Sequence, residues 1–131
     1  MKIAFFIDEY LPSVHGVATS TTTYKEALEK LGHEVYIIAP HVDGYEDFDD
    51  HIIRMPSSKS YVFEKREMAN IYPGLAKKLD DYHFDIVHSQ TQFFLGILAH
   101  SVAKRQNVPH VTTIHTLFTE LIDDYPVMIT A

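Results

Sequence analysis

The sequence predicts an α/β domain built on a mostly parallel sheet with helices on both faces. Three observations predict it. Ile3 to Ile7 and Val35 to Ala39 are short apolar runs without in–out alternation, the pattern of strands buried on both faces. Between them, Val17, Thr21, Tyr24, Leu28 and Leu31 recur three or four residues apart, the period of a helix with one apolar stripe. Along the whole chain the order reads β-α-β-β-α-β-α-β-α, and strands separated by crossover helices pair in parallel.

Each element has its own reason. Ile3 to Ile7 is the first strand, and Asp8 to Gly16 is a loop broken by Pro12, Ser13 and Gly16. The first helix starts near Val17, with Lys25, Glu26, Glu29 and Lys30 expected on its wet face, and Gly32 supplies a left-handed cap. Val35 to Ala39 is the second strand, stopped by Pro40, and Asp43 to Asp50 reads as an acidic surface loop. Ile52 to Met55 is a short third strand. Residues 59–72 mix aromatic and basic side chains and carry no clear period. Pro73 suits the first position of a helix through Leu75, Leu79 and Tyr82. Phe84 to His88 is the fourth strand. The next helix spans Phe93 to Gln106, with Phe94, Ile97, Leu98 and Val102 as its apolar stripe and Lys104 and Arg105 at its negative end. Val111 to Ile114 is a β-branched fifth strand, and Leu117 to Asp124 starts another helix.

Composition narrows the function. Apolar residues make up 46% of 131 residues, enough for the core of one domain. The net charge of −7 argues against nucleic acid, whose phosphates need clustered Lys and Arg. The chain has no cysteine, which removes disulfides, thiolate metal sites and a cysteine nucleophile and suits a reducing, cytoplasmic compartment. Nine histidines invite a metal, but neither H-E-x-x-H nor H-x-H occurs, so none is expected. No G-x-S-x-G marks a hydrolase nucleophile. No apolar run reaches the ~18–20 residues of a membrane span.

Ligands of parallel α/β sheets bind beyond the carboxyl ends of the strands. Three loops fall there: Asp8–Gly16, His88–Phe93 and His115–Thr119. The first joins a strand to a helix start, whose free N–H groups suit a phosphate, with Gly16 allowing close approach. It is neither a Walker loop nor a dinucleotide fingerprint, and a plain tight turn needing glycine would read the same. His115 could donate a hydrogen bond or move a proton, or simply close its strand. Thr91 leans towards capping the next helix, and His88 and Gln90 stay open. Tyr61, Phe63, Lys65 and Arg66 could touch a membrane surface or an amphiphilic molecule, or pack on the sheet.

Taken in order, Met1 to Asp8, Tyr10-Leu11-Pro12, Gly16-Val17, Ala27 to Val35, Asp85 to Thr91, Pro109-His110-Val111 and His115-Thr116 resemble the N-terminal domain of family 4 glycosyltransferases. These are retaining enzymes with two Rossmann-like domains, the GT-B arrangement, and bacterial diacylglycerol glucosyltransferases are the most similar. The resemblance covers residues 1–131 as one Rossmann-like, acceptor-side domain.

The resemblance implies transfer of a hexose from a nucleotide-sugar, UDP-glucose being the expected co-substrate, to a diacylglycerol-type lipid or a saccharide acceptor. It implies no metal or other cofactor. Gly16 and Val17 would approach the donor diphosphate and His115 would assist transfer. Tyr10, Tyr61, Arg66, Gln90 and Thr91 would face the acceptor. His15 departs from the Asn or Gly frequent before that glycine. By the family pattern the nucleotide-sugar domain is absent and the first domain is unfinished, so the chain alone is expected to be inactive and to seek its missing domain or another copy. Contact with the inner membrane face is also implied. A stand-alone, non-catalytic binding module is the competing expectation, and a flavodoxin-like domain a third, which would want a loop richer in Ser, Thr and Gly.

Overall fold

In the computed structural model, residues 1–13, 16–60 and 66–114 are described. Expectations for Tyr61, Phe63, Lys65, His115 and the helix from Leu117 lie outside these residues, and of Arg66 the backbone alone is described.

The elements are β1 (Lys2–Phe6), α1 (Gly16–Lys30), β2 (Glu34–Pro40), β3 (Ile52–Met55), β4 (Ser57–Ser60), β5 (Arg66–Ala69), a 3-10 helix (Leu75–Tyr82), β6 (Ile86–Ser89), α2 (Phe94–Gln106) and β7 (His110–Thr112). The main sheet has the order β3-β2-β1-β6-β7, and all its pairings are parallel. Ile3 lies between Val35 and Ile86 in register, so β1 is the centre of the sheet.

Burial on both faces explains the unalternated strands. Ala4, Phe6, Tyr36, Ile38 and Val87 point to one side, where Leu75, Leu79, Leu98 and Val102 of the 3-10 helix and α2 cover them. Ile3, Phe5, Ile7, Val35 and Ile37 point to the other side, towards Ala18, Val17 and Leu28 of α1. The Rossmann-like fold class expected from the sequence therefore holds, with helices on both faces.

Several details differ from expectation. β4 and β5 pair antiparallel over residues 57–60 and 66–69, reaching into the stretch 59–72 that carries no clear period. β6 starts two residues after Phe84, and β7 covers His110–Thr112 in place of Val111–Ile114. Pro73 does not open a helix: Gly74 follows it at φ 91°, and a 3-10 helix begins at Leu75. Gly32 does take the left-handed conformation after α1, at φ 94°.

Both helices are turned relative to their expected stripes. In α1, Ala18, Thr21 and Lys25 are buried, while Tyr24, and Leu31 just past its end, are exposed. The Lys25 ammonium lies between Asp49 at 2.6 Å and Glu29 at 2.8 Å, which allows a cation to occupy the inner face. In α2, Leu95, Ala99 and Ala103 join Leu98 and Val102 inside, leaving Phe94 and Ile97 exposed.

Candidate functional site

The chain runs from β1 to β2 on one side and returns to β6 on the other, so the order reverses between β1 and β6. In sheets of this kind, ligands bind in the crevice beyond the carboxyl edge at such a reversal. Ile7 and Asp8 leave β1, and Gln90 to Phe93 leave β6.

Asp8 joins the two walls. Its carboxylate accepts the backbone N–H of Leu95 at 2.8 Å and of Phe93 at 3.1 Å, filling the N-terminus of α2. Thr91 donates its hydroxyl to the same carboxylate, while the Asp8 N–H donates to Thr91 Oγ1 at 2.9 Å. Burial pushes the Asp8 carboxyl above its usual range, against the lowering effect of those hydrogen bonds. The helix cap is thus supplied by Asp8, from the far side of the crevice, and not by Thr91.

The expected site residues separate into two groups. Thr91 stays at the crevice. Gly16 is the exposed first residue of α1, and a Cβ built on it meets nothing within 4 Å. Its backbone is thus open to approach, and Val17 follows on the same first turn. Gln90, by contrast, is 1% exposed, and its N–H donates to Phe6 O at 2.8 Å. Tyr10 is 3% exposed. Its ring packs with Ala18 and Ile37, and its hydroxyl bonds Thr22 Oγ1 at 2.7 Å. Both side chains are turned into the fold and are corrected from acceptor-facing to structural positions. An aromatic four residues after a buried strand here finds more apolar contact inward than outward.

Arg54 holds the first loop against the sheet. It donates to Leu11 O at 2.6 Å and Pro40 O at 2.9 Å, and forms a two-bond pair with Asp47. Sequence reading passed over Arg54, because a lone arginine in a four-residue strand gives no signal of its partners.

Beyond Thr91 the edge widens into a cavity of about 330 Å³ between α2 and β7, lined by Gln92, Gly96, His100, His110 and Thr112 among others. His110 Nε2 bonds Ser89 Oγ, and burial, helped by neighbouring His100, lowers its pKa. His88 Nε2 bonds Thr113 Oγ1 at 2.5 Å and its ring meets Phe5 edge-on, so it is committed to the sheet. The only group of metal-type donors among the described residues is Asp49, Asp50 and His51, whose ligand atoms lie within 4.8 Å of one another. Asp49 already serves Lys25.

The sequence profile described as Glycosyltransferase Family 4 matches residues 14–129. The chain belongs to glycosyltransferase family 4. Its similarity to curated members is high in places. It is 41% identical over 128 residues to alpha-monoglucosyldiacylglycerol synthase of Streptococcus pneumoniae, covering 93% of this chain and 28% of that protein. It is 36% identical to the synthase of the same name from Acholeplasma laidlawii, over 92% of this chain and 31% of that one. A GDP-mannose-dependent alpha-mannosyltransferase of Corynebacterium glutamicum is 27% identical over 121 residues. The chain thus spans under a third of the length of these two synthases. Among solved structures, Acinetobacter baumannii MurG matches with a TM-score of 0.54 at 9% identity, over 95% of this chain and 39% of that one, a likeness of fold. No helix among the described residues of this family member is long and apolar enough to cross a membrane.

Proposed function

We propose that this family 4 chain is the acceptor-side part of a retaining hexosyltransferase that moves glucose from UDP-glucose to a diacylglycerol-type lipid. The observation that carries the reading is the 41% and 36% identity, over nearly the whole chain, to two alpha-monoglucosyldiacylglycerol synthases.

The geometry supports the donor side of this reading. Two helices begin near the crevice. The N-terminus of α2 is filled by the Asp8 carboxylate, whereas α1 begins at an exposed glycine with open space around it. A diphosphate is therefore drawn to Gly16 and Val17, where free N–H groups and the helix dipole favour negative charge. β7 ends at Thr112, three residues before His115, and His115 is the proposed group at the donor sugar. Protein donors rather than a metal ion would stabilise the leaving diphosphate. Thr91, Tyr61 and Arg66 are proposed on the acceptor side, with the enzyme working at the cytoplasmic membrane face.

The test is a transfer assay with labelled UDP-glucose and diacylglycerol in mixed micelles. It is run on this chain alone and on this chain fused to the part of the pneumococcal synthase that it does not match. Glucosyl-lipid is expected from the fusion only, and His115→Ala in the fusion should cut turnover at least a hundredfold. Transfer from GDP-mannose but not UDP-glucose would overturn the donor. Donor binding without transfer by either protein would favour a non-catalytic module.

A further inference from the structure

The segment between β2 and β3 carries Asp43, Glu46, Asp47, Phe48, Asp49 and Asp50, and no Lys or Arg. At its centre, Phe48 is 101% exposed. A single exposed apolar residue is common and by itself says nothing. What sets Phe48 apart is how it is held. Asp47 forms two hydrogen bonds with Arg54, at 2.8 and 3.0 Å, and both side chains are only 12% exposed. Asp49 is held by Lys25 at 2.6 Å, and the lysine side chain is 7% exposed. The residues on either side of Phe48 are thus pinned inward by two cations that are themselves fixed in the fold. The residue between them points out. Nearby Tyr45 is half-buried instead, its ring 5.5 Å from the Arg54 guanidinium in a cation–π contact.

The acids left facing water are Asp43, Glu46 and Asp50. We propose that this loop is a docking surface for a protein partner that receives Phe48 in an apolar pocket rimmed by Lys or Arg. An aromatic anchor inside a rim of charges is the usual anatomy of a small interface, and here the rim is acidic. A membrane surface fits poorly, because anionic headgroups repel that rim. A second copy also fits poorly. This chain's own cationic groove, with Lys77, Lys104 and Arg105, lies on the α2 side of the sheet, whereas the loop lies against α1. Pairing one with the other would be head-to-tail, without the two-fold symmetry of the common dimer. The loop's anchor, Arg54, also holds the Leu11 carbonyl of the first loop. A partner seated on Phe48 therefore rests one ion pair from the first loop.

The test places photo-reactive p-benzoyl-phenylalanine at position 48 of the full polypeptide in its native cells, with position 31 as control, since Leu31 is 74% exposed just after α1. Adducts are identified by mass spectrometry. The expected result is one protein attached at 48 and not at 31, through a peptide in which apolar residues neighbour Lys or Arg. Reversing the rim with Glu46→Lys and Asp50→Lys should cut the yield about tenfold. Phe48→Ala should weaken binding of the identified partner at least tenfold while leaving the melting temperature unchanged. An adduct to lipid, to a second copy alone, to a peptide without Lys or Arg, equal products at 48 and 31, or no adduct would each overturn the proposal.

Discussion

The Asp8 carboxylate accepts the N–H of Leu95 at 2.8 Å across 87 residues of sequence. One side chain leaving the central strand thus sets where α2 begins and holds the crevice walls together. Removing it with Asp8→Ala leaves the Phe93 and Leu95 N–H groups without their acceptor. The expected loss is about 2–3 kcal/mol in urea unfolding, from a lost cap and buried unpaired donors.

The same carboxylate has a pH signature. Burial raises its pKa in the folded state above the ordinary 3.8, so the folded chain holds the proton more tightly than the unfolded one. The stability linked to that proton is fully present below pH 3.8 and is lost as pH rises through the raised value. Asp8→Asn cannot titrate. Wild type should therefore lose stability relative to Asp8→Asn as pH rises from about 4 towards neutrality, by urea midpoints compared at each pH. A gap that moves the other way would mean that the hydrogen bonds outweigh burial.

Gly96 stands where two ordinary rules conflict. It lies inside α2, where alanine would gain about 1 kcal/mol by helix propensity. A Cβ there would sit 2.8 Å from the backbone O of Thr91, an atom with no side-chain freedom to yield. Overpacking of this kind costs about 1–3 kcal/mol, so Gly96→Ala should destabilise on balance. Because Thr91 also bonds Asp8, the change should add less when made on Asp8→Ala than on wild type. A double-mutant cycle measures that coupling.

The sheet was largely legible in the sequence and the helix faces were not. β1 and β2 announce themselves because strands buried on both faces need unbroken apolar runs, and Gly32 marks its cap because few other residues accept φ 94°. The inner face of α1 depends on Lys25, which reads as a solvent residue until Asp49 arrives from 24 residues away. Tyr10 faces the acceptor only by resemblance to the family, whereas in the fold its ring belongs to the core beneath α1. Gly16 and Thr91 were placed at the edge from strand order alone. The clamp from Asp8 to α2 joins segments too distant in sequence for any local pattern to reveal.

Lys25 and Asp49 should show the asymmetry of a buried cation. The Lys25 side chain is 7% exposed, while Asp49 is 38% exposed and can be hydrated. Burial works against the Lys25 ammonium, but its bonds to Asp49 and Glu29 more than compensate and raise its pKa. Asp49→Ala strands most of that charge and should cost about 1–3 kcal/mol, whereas Lys25→Met leaves only a wettable carboxylate and should cost under about 1 kcal/mol. Lys25→Met should also recover most of the loss in Asp49→Ala. For Asp49 burial acts upward, yet Lys25 and the His51 N–H win and hold its pKa below 3.8 in the folded state. Its contribution is present above pH 3.8 and is lost as pH falls through that lowered value, so wild type and Asp49→Asn should converge in acid unfolding.

Gly16 offers a separation of stability from binding. Nothing lies within 4 Å of a Cβ built there, and its φ falls outside the left-handed region. Gly16→Ala should therefore change stability by no more than about 0.5 kcal/mol, the range of an unremarkable surface substitution. If a diphosphate lies against the first turn of α1, the added methyl stands where its oxygens approach the free N–H groups. In the fusion with the pneumococcal portion, UDP affinity measured by calorimetry should fall at least tenfold, with a parallel rise in KM for UDP-glucose. Thr91→Ala, on the far wall, should leave UDP affinity unchanged. Equal UDP affinity in wild type and Gly16→Ala would move the diphosphate away from α1 altogether.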